Sequence, residues 1–130
     1  MKNNFARKYV SVPEILADRG LAKVGDVFVN FVFSLAVSNK QGIPTNIRVS
    51  STILSQALKK TGHRKHLPSR TDRHEQGDAV EALIFYSWLE GKLSLEECVS
   101  ILQHEADIPV DAFATLITTV IERLDLNNDL

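Results

Sequence analysis

The sequence predicts an all-α domain, a bundle of five to seven helices. Three observations predict it. Apolar residues recur at spacings of three and four along most of the chain, the pattern of one-sided helices. Helix starts and stops follow one another in order: Ser11-Val-Pro-Glu14, Gly62, Gly91, the Ser94/Glu97 pair and Pro109. Alternation of the strand type is confined to Ile47 and Val49, which have no evident partner. The 130 residues suffice for one core and form a single domain, residues 1–130.

The elements can be justified in turn. Pro13 in a first turn followed by Glu14 starts a short helix that should run to about Arg19, with Gly20 ending it or bending the chain onward. The second helix, about residues 21–38, is apolar nearly all round and is expected at the centre. Its polar exceptions, Asp26, Asn30 and Ser34, are four apart and form one stripe, expected to line a cavity, a cleft or an interface. Gly42 and Pro44 break the chain into a loop. A third helix, about Ser50 to Lys60, turns Ile53, Leu54, Ala57 and Leu58 inward and is capped by Gly62. A fourth is expected from about His74 to Glu90, closed by Gly91. The Ser94/Glu97 capping box opens a fifth that buries Leu95, Cys98, Val99 and Leu102. Pro109 opens a sixth with Val110, Phe113, Leu116, Ile117, Val120, Ile121 and Leu124 on one face. The tail, residues 125–130, should fray.

Bulk properties narrow the function. A net charge of −1 produces no global field toward nucleic acid or membrane, so any electrostatic site must be local. The single cysteine, Cys98, cannot form an internal disulfide and suits a reducing cytoplasm. The N-terminus lacks the apolar core of a signal peptide, and the apolar stretch from Val27 to Val37 is too short to span a bilayer. The expectation is a soluble cytoplasmic protein with no membrane partner.

Against this background three carboxylates stand out. Asp26 lies inside an apolar helix, and Asp78 and Glu81 open another apolar run. Burying an unpaired charge is costly, so such groups meet a cation, a metal or a substrate. Asp78 and Glu81, three apart, share a helix face. At roughly 5 Å and an effective dielectric of about 20 they repel by about 3 kcal/mol, which a divalent cation would reverse. Were the two helices to pack together, the three acids would form a site for magnesium or manganese, hard ions that favour oxygen ligands and keep waters. The plain structural alternatives are a first-turn dipole partner for Asp78 and an arginine partner for Glu81.

Residues 59–74 form a basic linker carrying Lys59, Lys60, Arg64, Lys65, Arg70 and Arg73 against one acid, Asp72. Such a strip suits RNA phosphates without reading sequence, or it is a solvated loop. His63, His66 and His74 lie in the same segment but lack a Cys-x-x-Cys pair, which disfavours zinc. Phe28, Phe31, Phe33, Phe85 and Trp88 recur at helical spacing, as core or as a subunit interface.

The segment around Gly25-Asp26, with Asn30 four residues on, resembles the Gly-Asp helix of the ribonuclease III family. Gly-Asp78-Ala-Val-Glu81-Ala-Leu-Ile resembles its second motif, and residues 48–58 resemble the helix between the two. The resemblance covers roughly residues 18–102. It implies a helical endonuclease domain that forms a two-fold homodimer and cuts double-stranded or structured RNA with magnesium. Asp26 and Glu81 would hold the metal, with Asp78 as a further ligand or a supporting acid, and Asn30 would support them. One departure is clear: full-length members carry a glutamate four residues before the motif aspartate, where this chain has Ala22. The short members called Mini-ribonuclease III resemble this chain there and in lacking a double-stranded-RNA-binding domain, for which 130 residues leave no room. Two rivals remain: a non-catalytic RNA-binding or assembly module on the same fold, and an all-α nucleotide pyrophosphohydrolase.

Overall fold

The computed structural model describes residues 3–5 and 7–125. Among these residues six α-helices make a bundle: α1 (Val12–Leu16), α2 (Arg19–Gln41), α3 (Ser51–Thr61), α4 (Arg73–Leu89), α5 (Leu95–His104) and α6 (Pro109–Leu124). A 3-10 turn, His63–His66, follows α3. No strand occurs among the described residues. The frayed tail expected beyond Asp125 lies outside them.

The core forms around α2 and α4, the most extensively packed pair. Helix α4 turns eleven buried residues inward, from Gln76 to Ser87, so it is enclosed on nearly all sides. Helices α3, α5 and α6 complete the shell, with Leu54, Leu58, Leu102, Phe113 and Ile117 essentially inaccessible to solvent. Side chains of this size contribute about 1.5–3 kcal/mol each on burial. Phe28, Phe85 and Trp88 form one aromatic cluster, joined by Phe5, and Phe33 packs on Phe113. Phe31 is outside this core, 52% exposed.

Several boundaries differ from the sequence expectation for local reasons. Helix α1 ends at Leu16 because Asp18 caps α2, its Oδ1 accepting from Leu21 N at 3.0 Å. Helix α4 begins at Arg73 because Asp72 and Glu75 form a capping box. Asp78 is therefore in the second turn, beyond the reach of a simple first-turn dipole effect. The basic linker is not a continuous loop: Lys59 and Lys60 belong to α3 and Arg73 to α4. Leu95 is only partly buried, and Ile53, Val110 and Ile121 line the edge of the core. Helix α2 runs for 23 residues, well beyond the apolar stretch 27–37, and by length and composition alone could cross a membrane. Its buried residues, Leu21 to Val37, instead pack on α4 and α5 at the centre of the bundle.

The polar stripe on α2 has a structural use. Residues 45–49 run extended along the helix and bond to its side chains. Ser38 Oγ exchanges hydrogen bonds with Thr45, accepting from its N–H at 2.8 Å and donating to its carbonyl at 3.2 Å. Ser34 Oγ does the same with Ile47, at 2.9 and 3.2 Å. Asn30 Oδ1 accepts from Val49 N at 2.7 Å. Two residues of extended chain rise about 6.6 Å and four helical residues about 6 Å, so the two periods stay in step. This explains the alternation at Ile47 and Val49: the strand-like segment has a helix for a partner. Asn30 and Ser34 thus spend their polar atoms on this segment, while Asp26 lines a cavity.

Candidate active site

The contact that builds the site is made by a glycine. A Cβ on Gly25 of α2 would stand 2.3 Å from the Glu81 carbonyl oxygen and 2.6 Å from its carbonyl carbon on α4. Only glycine allows the helices to close this far. The closure brings Asp26, one residue on, beside the Glu81 side chain. Gly77 is a milder second case, where a Cβ would meet Ser51 at 3.3 Å as α4 passes the N-terminus of α3. Both aspartates that reach the cavity from these helices, Asp26 and Asp78, follow directly after such a glycine.

A cavity of about 480 Å³ opens at this junction, and Asp26, Asp78 and Glu81 all line it. Glu81 is the buried member, 5% exposed. Burial, above all, and the Asp26 carboxylate in hydrogen-bonding contact push its carboxyl up to about 9, with Asp78 adding and Arg48 opposing. Glu81 is therefore held toward its protonated form beside Asp26. Asp78 is more open; its partial burial raises its carboxyl, Arg19 lowers it and Asp26 raises it. The three acids thus feel one another, as expected of like charges sharing a site.

Cations frame the acids. Arg19, Lys23 and Arg48 line the same cavity. Arg48 Nη2 lies 3.6 Å from Asp26 Oδ2, so Asp26 already has a guanidinium partner; the Arg48 side chain is 76% exposed. Exposed pairs of this kind are worth about 0–1 kcal/mol. The ladder of Asn30, Ser34 and Ser38 fixes the backbone on either side of Arg48, and Asn30 Nδ2 also donates to Asp26 Oδ1 at 3.2 Å. Asn30 thus orients both members of the Asp26–Arg48 pair. Sequence reading missed Arg19, Lys23 and Arg48. The spacing of Arg19 and Lys23, four apart and on the helix that bears Asp26, was the available signal.

The donor set suits a hard divalent ion. Magnesium binds through one or two carboxylates and keeps several waters. Asp26 and Glu81 offer two in mutual contact, and Glu81 is a buried carboxyl whose closest charged neighbour is another carboxylate. Among the described residues no group of three or more His, Cys, Asp or Glu side chains is arranged to hold one ion, the set Asp26, Asp78 and Glu81 included. Ala22, 6% exposed, lines the cavity where a fourth acid would stand.

The expected RNA-binding residues are dispersed. Lys60 pairs with Asp111 of α6. Arg64 donates to the carbonyls of Leu67 and Ser69, at 3.2 and 3.1 Å, and braces its own turn. Lys59, Lys65, Arg70 and Arg73 are exposed. His63 and His66 stack on each other, His74 bonds Ser51 and Cys98 is fully buried.

No curated protein matches the chain. The family model for ribonuclease III matches residues 19–126, a span that holds α2 to α6 and every acid of the cavity. With that match over most of its length and an all-α bundle, the chain belongs to the ribonuclease III family, a membership that carries a ribonuclease-type function with RNA as the substrate.

Proposed function

We propose that the protein is a metal-dependent endoribonuclease that hydrolyses phosphodiester bonds in double-stranded or structured RNA. The observation that carries this reading is the buried Glu81 carboxyl held against Asp26 by the Gly25 contact. Asp26 and Glu81 would hold magnesium or manganese, with Asp78 supporting from farther out. When bound, the ion supplies an activated water and charge neutralisation at the phosphate. Arg19 and Lys23 attract the phosphate to the cavity mouth, and Arg48 turns from Asp26 to the same phosphate once the acid has another cation. Glu81 would lose its proton to solvent and hold such an ion as a carboxylate. Lys59, Lys65, Arg70 and Arg73 add contacts along the RNA backbone, with Lys60 and Arg64 contributing less because they are engaged within the chain. Manganese- or magnesium-dependent cutting of a duplex RNA that Asp26→Ala and Glu81→Ala abolish, without loss of helical signal, is the expected result. Binding without cutting across several duplexes and both metals contradicts it.

The same reading includes a two-fold homodimer. Val24, Val27 and Phe31 leave an apolar strip exposed on α2, with Val27 at 69% and Phe31 at 52%. A second copy packed there would cover it symmetrically. Sedimentation should report a dimer that Phe31→Glu converts to a monomer; a monomeric wild type counts against it. The reading also keeps a cytoplasmic location, for which the unpaired, buried Cys98 is the support.

A second reading, an RNA-binding module that does not cut, is favoured by Ala22 and by the Arg48–Asp26 pair. It expects Asp26→Ala to leave RNA affinity intact or raise it. The family match favours both RNA readings over a nucleotide pyrophosphohydrolase.

A further inference from the structure

A second cavity, of about 560 Å³, adjoins the acidic one. Leu16, Ala17, Leu67 and Pro68 give it apolar walls, and the half-buried His66 lines it too. Arg19, Ala22 and Asp78 belong to both cavities. The two therefore share a wall and make a depression with a charged half and a mainly apolar half, in which Asp18 and Glu75 are the charged exceptions and Arg19 lies 3.9 Å from Glu75. Ala22 stands at the junction; a glutamate there, as in the full-length family, would put a carboxylate between the halves.

We propose that the apolar half seats the base of an unpaired nucleotide whose phosphate lies at Arg19, an inference that rests on the RNA reading above. The volume lies in the range of small-ligand sites, roughly 300–1,000 Å³. A nucleotide has the same division as the depression: an anionic phosphate joined to a flat base with apolar faces. Aromatic and imidazole rings are favoured surfaces for unstacked bases. His66 is one such ring, and its position is fixed. It stacks on His63 with ring centroids 5.3 Å apart and planes 12° apart, with Nδ1 of His63 3.2 Å from its Nε2. The walls are also fixed. Arg64 ties the carbonyls of Leu67 and Ser69, Thr71 Oγ1 donates to Pro68 O at 2.6 Å, and the buried Gln76 donates to Thr71 O at 3.0 Å. A duplex whose bases are all paired has none to offer, so the cavity would favour RNA with a bulged or frayed nucleotide beside the bound phosphate.

The test is a binding measurement, separate from cleavage. Adenosine 5′-monophosphate and ribose 5-phosphate are titrated into the protein with magnesium present, by calorimetry. The nucleotide should bind about tenfold more tightly, the scale of one stacked base. Ala17→Leu, at an exposed position on the cavity wall, and His66→Ala should each weaken the nucleotide about fivefold and leave ribose 5-phosphate unchanged. Equal affinity for the two compounds, or variants that bind like wild type, overturns the proposal. A second arm compares a hairpin RNA bearing one unpaired adenosine with its fully paired counterpart, both on the Glu81→Gln protein. The unpaired form should bind several-fold more tightly, and Ala17→Leu should erase the difference. Selectivity for the mononucleotide without any difference between the hairpins would give the cavity to a free nucleotide and overturn the assignment to RNA. Loss of cleavage with both binding results intact would count against the nuclease reading alone.

Discussion

The acidic cavity and the basic segment are both conspicuous in the sequence, and the fold uses them differently. The acids are carried by helix interiors that meet at a glycine, so their positions are set by the closest backbone contact between α2 and α4. The basic segment is divided among the end of α3, a 3-10 turn, a short loop and the start of α4, and two of its six cations serve the fold. A charge inside an apolar run has to be justified by a partner, whereas a charge in a polar run is already solvated. The first kind reports on a site; the second reports mainly on the surface.

Breaking the acid half should have the largest effect. Asp26→Ala and Glu81→Ala should each lower duplex cleavage by at least about 10²–10³, the scale for losing one preorganised electrostatic group. Helical signal should persist in both variants, so that the loss reads as lost chemistry and not as unfolding. Residual cutting within tenfold of wild type would show that the two acids do not act as a pair.

Next comes the glycine that joins them. Gly25→Ala places a methyl 2.3 Å from a backbone oxygen, which cannot move aside as a side chain could. Overpacking of this kind costs about 1–3 kcal/mol, and activity should fall with stability because Asp26 and Glu81 are driven apart. Chemical denaturation and cleavage on one preparation check both. Gly77→Ala, facing Ser51 at 3.3 Å, should be milder.

The acids also set a pH dependence. Glu81 is raised from an ordinary value of 4.5 to about 9. A raised carboxyl contributes its full stability below the unfolded value, and that contribution is lost as pH climbs through the folded one. The metal-free protein should therefore lose stability between pH 5 and 9. The slope is at most about 1.4 kcal/mol per pH unit, and solvent screening holds the whole loss to a few kcal/mol. Asp78 is raised as well, in the same direction. Melting curves of wild type and Glu81→Gln across that interval should diverge, the variant being flatter, and magnesium should reverse the wild-type slope by binding the ionised acid. A wild-type slope identical to that of the variant would remove the coupling.

The smallest effects belong to the supports and to the basic segment. Asn30→Ala removes one bond to Val49 and two to Asp26, one of them to its backbone carbonyl, worth about 1 kcal/mol each, and should free Arg48. Lys65→Ala and Arg70→Ala should each lower the salt dependence of RNA binding by about one counterion. Lys60→Ala should change it less, because its partner is Asp111. Equal effects from all three would erase the contrast between free and engaged cations.

The helices, their glycine stops and the Ser94 capping box are legible in the sequence because each depends on neighbours along the chain. Asp26, Asp78 and Glu81 are legible as candidates because each is a charge in an apolar run and through the resemblance of the two Gly-Asp segments; that they line one cavity is not. What the chain does across long distances is not. That Ser34 and Ser38 bond an extended segment, that Arg48 reaches Asp26, and that Gly25 touches Glu81 all depend on which helix lies beside which. The Asp72/Glu75 capping box is a local signal too, masked by the basic residues that surround it.

The central claim is that Asp26 and Glu81 form one cation site. Crystals grown with manganese, measured at the manganese absorption edge, test it most directly. One anomalous peak is expected beside the Asp26 and Glu81 carboxylates, with the Arg48 guanidinium withdrawn from Asp26. Saturating manganese with no peak there, and Arg48 still paired with Asp26, would contradict it.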